Sequence, residues 1–433
     1  MDQNRGNGFE VRLGDLVFAV SSALDLISPV VANHHLRTAR IARAVAGQIN
    51  LPAAERTDIL LAAALHDCGA FSLHERLDLM RFEVEEAEGH AEAGYRLLNA
   101  FPHFEKAAEI VRHHHLPWDH RRGEFRQGRP VPLGSHLLHL ADRVSVLPSG
   151  TDGATVPSGD DLKAVLAGSG SRFVPEFVEA LAEAAMRPEF WREVGAAGDD
   201  DLRGDLALGE VVLSESDFRS LAHLFWQIVD YRSRFTATHT SGVAAVAGFL
   251  APLAGIGGAA GRRVSIAAGL HDIGKLAVPS ETLDTERALS SEEQALMRNH
   301  PLNGWRVLRR VPGLEDINQW ANFHHERLDG SGYPFHMPAE RIPLESRIVA
   351  VSDVFTALTE ERPYRRGMSG REALTILQGM ADNGALDRDL VALMADHREE
   401  AAVIRRLAQE GASERYVAFR EHTPARGAEH VAS

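Results

Sequence analysis

Histidines and aspartates recur along the second half of the sequence in a pattern that can bind metal ions. His271 and Asp272 are adjacent in the stretch LHDIGKLAVP, and Lys275 follows one helical turn later. Imidazole nitrogens together with carboxylate oxygens suit iron, manganese, zinc and nickel. The other members of the series are His239, His300, His324, His325 and Asp353. Because the intervals between them can hold whole helices, the side chains can converge inside a helical bundle, and we predict a metal site there.

Five imidazoles and two carboxylates exceed what one tetrahedral ion needs, so the series predicts two ions bridged by one carboxylate. Two ions about 3.5–4 Å apart can align a phosphate ester, activate a water and stabilise the leaving oxygen. Lys275 could then neutralise charge on the phosphate. His324 and His325 would point about 100° apart on a helix, so both can be ligands only at a helix end or on different ions. The predicted chemistry is hydrolysis of a phosphate ester.

The first half of the sequence carries a second copy of the series. Its members are His34, His66, Asp67, His90, His114, His115 and Asp142. The first histidine precedes the His–Asp pair by 32 residues in both halves, and HAEAGYRLL in the first half parallels HPLNGWRVL in the second. A repeat of this length indicates duplication of one helical domain.

The elements that position these residues are predicted to be helices. Stretches such as HLRTARIARAVAGQI and SEEQALMRNHPLNGWRVLRRV repeat apolar residues at intervals of three and four, whereas alternating strand-like runs are scarce. We predict an all-α protein of two tandem helical-bundle domains, residues 10–193 and 218–412. Residues 194–217, rich in glycine and acidic side chains, are predicted to link them. The polar residues 413–433 are predicted to form a loose tail.

Length and composition indicate the class of protein. A chain of 433 residues is long enough for two or three domains. Its 46 basic and 61 acidic residues give a formal charge of −15, which argues against binding of duplex nucleic acid or an anionic membrane. The single cysteine, Cys68, excludes an intrachain disulfide and fits a reducing compartment. No stretch resembles a signal peptide or a membrane span, so we expect a cytoplasmic protein.

The second half resembles the HD-GYP family, a branch of the HD superfamily of metal-dependent phosphohydrolases. HDIGK, HHERLDGSGYP and RIVAVSDVFTALTEERPYR carry the resemblance, which covers roughly residues 225–400. It implies an all-α bundle, a metal site often containing iron or manganese, and hydrolysis of cyclic-di-GMP to linear pGpG or onward to GMP. The first half resembles only the wider HD superfamily.

The resemblance also implies roles for single residues. The seven-residue series of the second half would ligate two divalent ions, with Asp272 as the bridge; iron or manganese is favoured, and zinc, nickel and magnesium are alternatives. Lys275 matches a lysine that contacts the scissile phosphate. Four residues of the GYP loop and the RPYR motif match substrate contacts: Tyr333, Pro334, Arg362 and Arg365.

Several positions depart from the family pattern. Phe235 stands where members with a third metal carry a glutamate, so we expect two ions. Gly242 replaces the family's usual arginine three residues after the first histidine. In the first half Ala70 stands where lysine should be, and HHHLPWDHRRGEFRQGRP replaces the GYP loop. We therefore expect metal binding in the first half, and no hydrolysis of cyclic-di-GMP there.

Alternatives stay open at this point. The first half could be a structural or dimerising copy, or a regulatory or second phosphohydrolase domain for another nucleotide, with a positive patch formed by Arg121, Arg122, Arg126 and Arg129. The second half could instead hydrolyse 3′3′-cyclic GMP-AMP, a linear dinucleotide or a nucleotide polyphosphate. It could also be a metal-loaded receptor that binds cyclic-di-GMP with little turnover. The sequence is compatible with a homodimer.

Overall fold

The chain folds into helices joined by short turns. The computed structural model describes residues 10–82, 88–147, 157, 159–196, 198–203, 211–233, 236–361 and 366–421. Four strands of two residues each lie in these ranges: β1 Val11–Arg12, β2 Phe125–Arg126, β3 Arg129–Pro130 and β4 Val212–Leu213. β2 and β3 pair antiparallel, with Phe125 opposite Pro130. The all-α class predicted from the apolar spacing is confirmed.

Two compact units make up the chain, and each has its own core. Among the described residues, the N-terminal unit comprises those within 12–212 and 419–421, and the C-terminal unit comprises those within 10–11 and 213–418. The helices of the first are α1 Leu13–Leu24, α2 His34–Gln48, α3 Ala53–Leu65, α4 Leu73–Leu79, α5 Glu88–Leu98, α6 Glu105–Arg112, α7 Leu133–Ser145, α8 Gly159–Ala167, α9 Pro175–Ala185, α10 Pro188–Val194 and α11 Asp200–Arg203.

The C-terminal unit repeats the order of the central helices. Its helices are α12 Glu215–Asp230, α13 His239–Leu253, α14 Gly258–Leu270, α15 Ser280–Leu283, α16 Ser291–Arg298, α17 His300–Leu308, α18 Glu315–Asn322, α19 Leu344–Thr359, α20 Gly370–Asp382, α21 Arg388–Asp396 and α22 Arg398–Glu421. Helix α13 packs against α14 and α19, as α2 packs against α3 and α7 in the other unit. The duplication read from the sequence is therefore also present in the helix packing.

Apolar spacing explains why these helices pack. In α13, Val243, Val246, Ala247 and Leu250 are buried and share one face at intervals of three, one and three residues. In α3, every residue from Ile59 to Leu65 is buried, so the C-terminal half of this helix is covered on all sides. These buried faces bring His239, the first residue of α13, and His66, which follows the last residue of α3, into the interior of their units.

Part of the expected linker, residues 194–217, packs against helix α2 of the N-terminal unit. Arg40 of α2 is 2% exposed. Its guanidinium donates to the carbonyl oxygens of Ala196 (2.8 Å) and Gly198 (2.7 Å) and to Asp201 Oδ1 (2.7 Å). A buried guanidinium requires such acceptors. Residues 196 and 198–203 therefore contact the N-terminal unit instead of running free.

The expected loose tail, residues 413–433, is wrong for residues 413–421, and residues 422–433 lie outside the described residues. Residues 413–421 continue α22, which begins at Arg398. Within this part Phe419 is 9% exposed, and its ring lies 6.0 Å from that of Phe71. The polar composition that indicated a tail belongs to a helix with one buried edge.

None of the helices in the described residues has both the length and the apolar character needed to cross a membrane.

Candidate metal centres

Helix ends present the histidines of the C-terminal series, whereas Asp353 lies within α19. His239 and His300 are the first residues of α13 and α17, and His271 follows the last residue of α14. His324 and His325 lie in the turn after α18 ends at Asn322, which meets the requirement that two adjacent histidines sit at a helix end. At these ends the chain bends, so neighbouring side chains can turn toward one point.

A close approach of backbone requires the glycine after the His–Asp pair. A Cβ on Gly274 would lie 1.9 Å from the carbonyl oxygen of His300, and a Cβ on Gly69 would lie 2.2 Å from that of His90. Only glycine lets the turn after each His–Asp pair pack directly on the helix that carries the next histidine. The glycine of both motifs thus holds two parts of each site together.

The two oxygens of Asp272 face two separate groups of histidines. Asp272 Oδ2 lies 3.2 Å from His271 Nε2, and Oδ1 lies 3.2 Å from His300 Nε2. On the first side, Asp353 Oδ1 lies 3.2 Å from His239 Nε2. On the second, His300 Nε2 lies 3.2 Å from His324 Nε2, and His325 completes the group. The arrangement is that of a carboxylate between two adjoining sites.

These separations fit metal ligands. Two ligand atoms each about 2.1 Å from an ion are about 3.0 Å apart at a right angle and about 3.4 Å apart in a tetrahedron. The side chains of His239, His271 and Asp353 offer ligand atoms within 4.8 Å of one another, as do those of His300, His324 and His325. The structure therefore brings together all seven predicted ligands of the C-terminal unit in two groups.

Hydrogen bonds fix the ring orientation of these histidines. The Nδ1 atoms of His271, His300 and His324 lie 2.6, 2.7 and 2.6 Å from the backbone carbonyl three residues earlier. A carbonyl only accepts, so each Nδ1 carries the proton and each Nε2 lone pair faces the site. His239 Nδ1 lies 3.0 Å from Glu360 Oε2. Such outer contacts orient metal-binding imidazoles.

Burial keeps most of the imidazoles neutral. It lowers the pKa of His300 to about 4 and that of His325 to about 3. Burial alone would raise the pKa of Asp272, but His271 and Lys275 lower it well below its usual value. Burial also opposes charge on His239, yet Glu360 and Asp353 raise its pKa to about 10. Neutral imidazoles and ionised carboxylates are the forms that bind cations.

Lys275 lies at the edge of this site. Its Nζ donates to Asp272 Oδ2 at 2.6 Å, and its side chain is 16% exposed. Arg232 is buried and donates to the carbonyl oxygens of Lys275 (2.8 Å), Leu276 (3.0 Å) and Val278 (2.7 Å). Those bonds fix the turn that carries the lysine. Sequence reasoning missed Arg232, because nothing in the motif specifies a partner 43 residues earlier.

The GYP loop places an aromatic ring beside the second histidine group. The Tyr333 ring lies 4.8 Å from that of His325, and the Arg298 guanidinium lies 4.6 Å above Tyr333. Pro334 follows through a cis peptide bond. Glu326, 3% exposed, accepts from the backbone N–H of Phe335 at 2.7 Å and of Met337 at 2.9 Å. The loop is thus held by a buried carboxylate that sequence reasoning did not identify.

Three expected positions lie outside the described residues: Phe235, Arg362 and Arg365. Gly242, which replaces the family's arginine, lies in a filled environment. A Cβ there would meet Thr356 Cγ2 at 3.0 Å and Gln409 Nε2 at 3.1 Å, and Gln409 donates to Glu360 Oε2 at 3.2 Å. Helix α22 therefore takes the space into which an arginine would extend.

The N-terminal unit repeats the two-sided arrangement. Asp67 Oδ2 lies 3.4 Å from His66 Nε2, and His66 Nε2 lies 3.1 Å from His34 Nε2. Asp67 Oδ1 lies 3.4 Å from His90 Nε2, and His115 Nε2 lies 3.1 Å from His90 Nε2. Asp142 Oδ1 lies 3.4 Å from His34 Nε2, and His114 Nε2 lies 3.8 Å from Asp67 Oδ1. All seven predicted residues meet here too.

Unsatisfied buried atoms in this unit also point to cations. Asp67 Oδ1 and Asp142 Oδ1 are buried and have no hydrogen-bond partner among the described residues. Burial lowers the pKa of His66 and of His90 to about 3, so these rings are neutral acceptors at their free nitrogens. A buried carboxylate oxygen without a partner is costly, and a divalent ion would satisfy it.

The expected positive patch of the N-terminal unit is not an isolated charge cluster. Arg121 Nε donates to Glu124 Oε1 at 2.9 Å, and Arg126 Nη2 donates to Glu88 Oε1 at 2.7 Å. Arg122 lies 3.6 Å from a carboxylate oxygen of Asp119. Three of the four expected arginines are therefore paired with acidic side chains.

Comparisons with known proteins agree with the geometry. HD domain models match residues 31–147 and 223–390. The 3′3′-cGAMP-specific phosphodiesterase 1 of Vibrio cholerae is 29% identical over 389 residues, 88% of this chain and 90% of that protein. A cyclic di-GMP phosphodiesterase of Pseudomonas aeruginosa is 44% identical over 116 residues, 26% of this chain and 28% of that protein.

Among solved structures, a cyclic GMP-AMP-specific phosphodiesterase of V. cholerae has the same fold. The TM-score is 0.63 at 22% identity, and the match covers 90% of this chain and 98% of the other. At this identity the match concerns the fold alone. With a matching domain model in each half and a complete histidine–aspartate series in each unit, the chain belongs to the HD domain family, and it carries two HD domains in tandem.

Proposed function

We propose that this protein is a metal-dependent phosphodiesterase that hydrolyses a cyclic dinucleotide in its C-terminal unit. The observation that carries the proposal is Asp272, whose two oxygens face two histidine groups while Lys275 pairs with the same carboxylate. The two relatives are phosphodiesterases by name, one for 3′3′-cGAMP and one for cyclic di-GMP. They support this substrate class.

Two divalent ions are proposed for the C-terminal unit, with iron or manganese favoured and zinc, nickel or magnesium as alternatives. His239, His271, Asp272 and Asp353 would hold one ion, and Asp272, His300, His324 and His325 the other. When bound, such ions polarise a phosphate oxygen and lower the pKa of water. The mixed nitrogen and oxygen donor set is the reason for favouring transition metals over magnesium.

The chain's own residues orient and neutralise the substrate. Lys275 offers an ammonium at the site edge, which we assign to the scissile phosphate. Tyr333 offers an aromatic face on which a base can stack. Arg362 and Arg365 remain proposed nucleotide contacts on the strength of the RPYR motif. The carboxylate of Asp272 would bind both ions and so fix the distance between the two ligand groups.

Cyclic-di-GMP is the substrate that the HDIGK and GYP motifs favour, with pGpG or GMP as product. A specific observation favours 3′3′-cyclic GMP-AMP as a second candidate, because the relative that spans 88% of this chain carries that specificity in its name. The cyclic di-GMP relative matches over only 26% of the chain. Both substrates therefore belong in the first assay.

The test uses the full chain, loaded with Mn²⁺ or with Fe²⁺ under reducing conditions, and follows both cyclic dinucleotides by chromatography, singly and in competition. Turnover should disappear in His271→Ala/Asp272→Ala and persist in the matched double variant His66→Ala/Asp67→Ala. Tight binding without hydrolysis under every metal would contradict the enzyme and support a receptor. Equal loss in both double variants would contradict the assignment to the C-terminal unit.

For the N-terminal unit we propose a second metal centre without cyclic dinucleotide turnover. Its ligand set is complete, but Ala70 replaces the lysine and is fully buried against Leu79 and Met80. The unit would then act in regulation or in stabilising the fold. Metal analysis of the two double variants separates the contents of the two centres.

A further inference from the structure

A buried aspartate–histidine pair lies beside the N-terminal metal ligands and is not part of the recurring series. His35 Nδ1 lies 2.5 Å from Asp25 Oδ1, and the backbone N–H of His35 donates to Asp25 Oδ2 at 3.2 Å. His35 is 2% exposed and Asp25 is 4% exposed. The carboxylate therefore holds both the ring and the backbone of His35 in a solvent-free setting.

The other ring nitrogen of His35 faces the metal ligands. Because Nδ1–H donates to Asp25, the Nε2 atom presents its lone pair. Nε2 is buried and has no hydrogen-bond partner among the described residues. The ligand atoms of His35, His66 and Asp67 all lie within 4.8 Å of one another. The ring centroids of His35 and His66 are 4.9 Å apart.

The C-terminal unit has the same aspartate but no imidazole. Asp230 precedes His239 by nine residues, as Asp25 precedes His34, and the residue after each first histidine contacts it. In the C-terminal unit that residue is Thr240, whose hydroxyl donates to Asp230 Oδ1 at 2.7 Å. Both units thus have an aspartate at this position. Its partner is an imidazole in the N-terminal unit and a hydroxyl in the C-terminal unit.

We propose that His35 Nε2 is an additional ligand of the ion held by His66 and Asp67, positioned by Asp25. This inference rests on the proposed N-terminal metal centre. A ligating imidazole whose second nitrogen donates to a carboxylate is a recurring arrangement, and the carboxylate raises the basicity of the ligand. The protein ligands around this ion would be His34, His35, His66, Asp67 and Asp142.

A fifth protein ligand changes what this ion can do. The equivalent ion of the C-terminal unit has four protein ligands and, if six-coordinate, two open positions. With His35 bound, the N-terminal ion keeps one. Three imidazoles also favour zinc, nickel or iron over magnesium. The N-terminal centre should hold this ion more tightly and offer less room for a substrate phosphate.

The solution test uses the full chain with His271→Ala/Asp272→Ala/His300→Ala/His324→Ala, which removes ligands from both C-terminal groups and keeps the N-terminal centre. Zn²⁺ is titrated into this parent and into the same chain with His35→Thr. Threonine reproduces the Thr240–Asp230 pair, so the variant should fold, as unfolding curves will check. The matched control is His136→Asn, since His136 is a buried histidine of the same unit whose Nε2 pairs with the carbonyl of Gly123 (3.1 Å).

His35→Thr should weaken one of two Zn²⁺ sites by at least about 10-fold, and His136→Asn should not. Affinities within twofold of the parent for both sites would overturn the proposed ligand. A parent that binds no ion would instead overturn the N-terminal centre itself, which keeps the two failures distinct.

A crystal structure of the Zn²⁺-loaded full chain decides between direct ligation and a contact through water, whatever the variant does. Direct ligation requires His35 Nε2 about 2.0–2.1 Å from the ion. An ion bound by His66 and Asp67 with Nε2 beyond about 3 Å would overturn the proposal and leave the centre standing.

Discussion

The GYP loop should loosen when the charge of Glu326 is removed. Its carboxylate accepts two backbone N–H bonds, from Phe335 at 2.7 Å and Met337 at 2.9 Å, and is 3% exposed. Hydrogen bonds to a charged acceptor contribute about 1.5–3 kcal/mol each. Glu326→Gln keeps one acceptor oxygen but turns an NH₂ toward the other N–H. Glu326→Gln should therefore lower the stability of the ordered GYP loop by about 1.5–3 kcal/mol.

Hydrogen exchange of the loop amides measures this cost directly. Because about 1.4 kcal/mol is a factor of ten, protection at Phe335 and Met337 should fall by about 10- to 100-fold in Glu326→Gln. Tyr333 belongs to the same loop, so KM for the cyclic dinucleotide should rise. Glu340→Gln, at an exposed position nearby, is the matched control. Unchanged protection at both amides would refute the assigned role of the carboxylate.

Three further predictions concern the turn after the His–Asp pair and its neighbours. Lys275→Ala should lower turnover by about 10²–10³-fold with metal content unchanged, and loss of metal would contradict its phosphate role. Gly274→Ala should destabilise the C-terminal unit by about 1–3 kcal/mol or more, because its Cβ would lie 1.9 Å from the His300 carbonyl oxygen; Gly379→Ala, with open space, should not. Burial lowers the pKa of His300 to about 4, so below pH 6.5 only the unfolded state gains its proton. The metal-free chain should then lose roughly 3 kcal/mol from this group as pH falls from 6.5 to 4, and His300→Asn should flatten that slope in urea unfolding.

The ligand series could be predicted because residue type and spacing are properties of the chain itself. Each half repeats histidines at intervals that hold one or two helices, and helices of that length return to the same core. The adjacent pair His324–His325 even constrained the local structure, since two neighbouring ligands require either a helix end or two different ions. The structure places the pair directly after α18.

Other features depend on contacts between distant segments and left no local signal. Glu360 orients His239 from 121 residues away, and Arg232 fixes the turn of Lys275 from the turn that follows α12. The pairing of Arg126 with Glu88 had no local signal either, because the two residues lie 38 positions apart. The Asp25–His35 pair did have a signal, namely the equal distance of Asp25 and Asp230 from the first histidine of each half, but their role appears only when the rings are placed.

The two units differ in how many partners hold a positive charge near the ligands. In the C-terminal unit, the Nζ of Lys275 pairs, among the described residues, with Asp272, and its side chain is 16% exposed. In the N-terminal unit, Arg143 donates to Asp142 Oδ2 at 2.7 Å and to the carbonyl oxygens of Leu79 (3.0 Å) and Arg81. A lysine with one partner can move to a phosphate at little cost, because a single ion pair is exchanged for another. A buried arginine with three acceptors cannot, since moving it would leave several buried acceptors unpaired. Of these two side chains, we therefore expect Lys275, and not Arg143, to be able to exchange its partner for a phosphate.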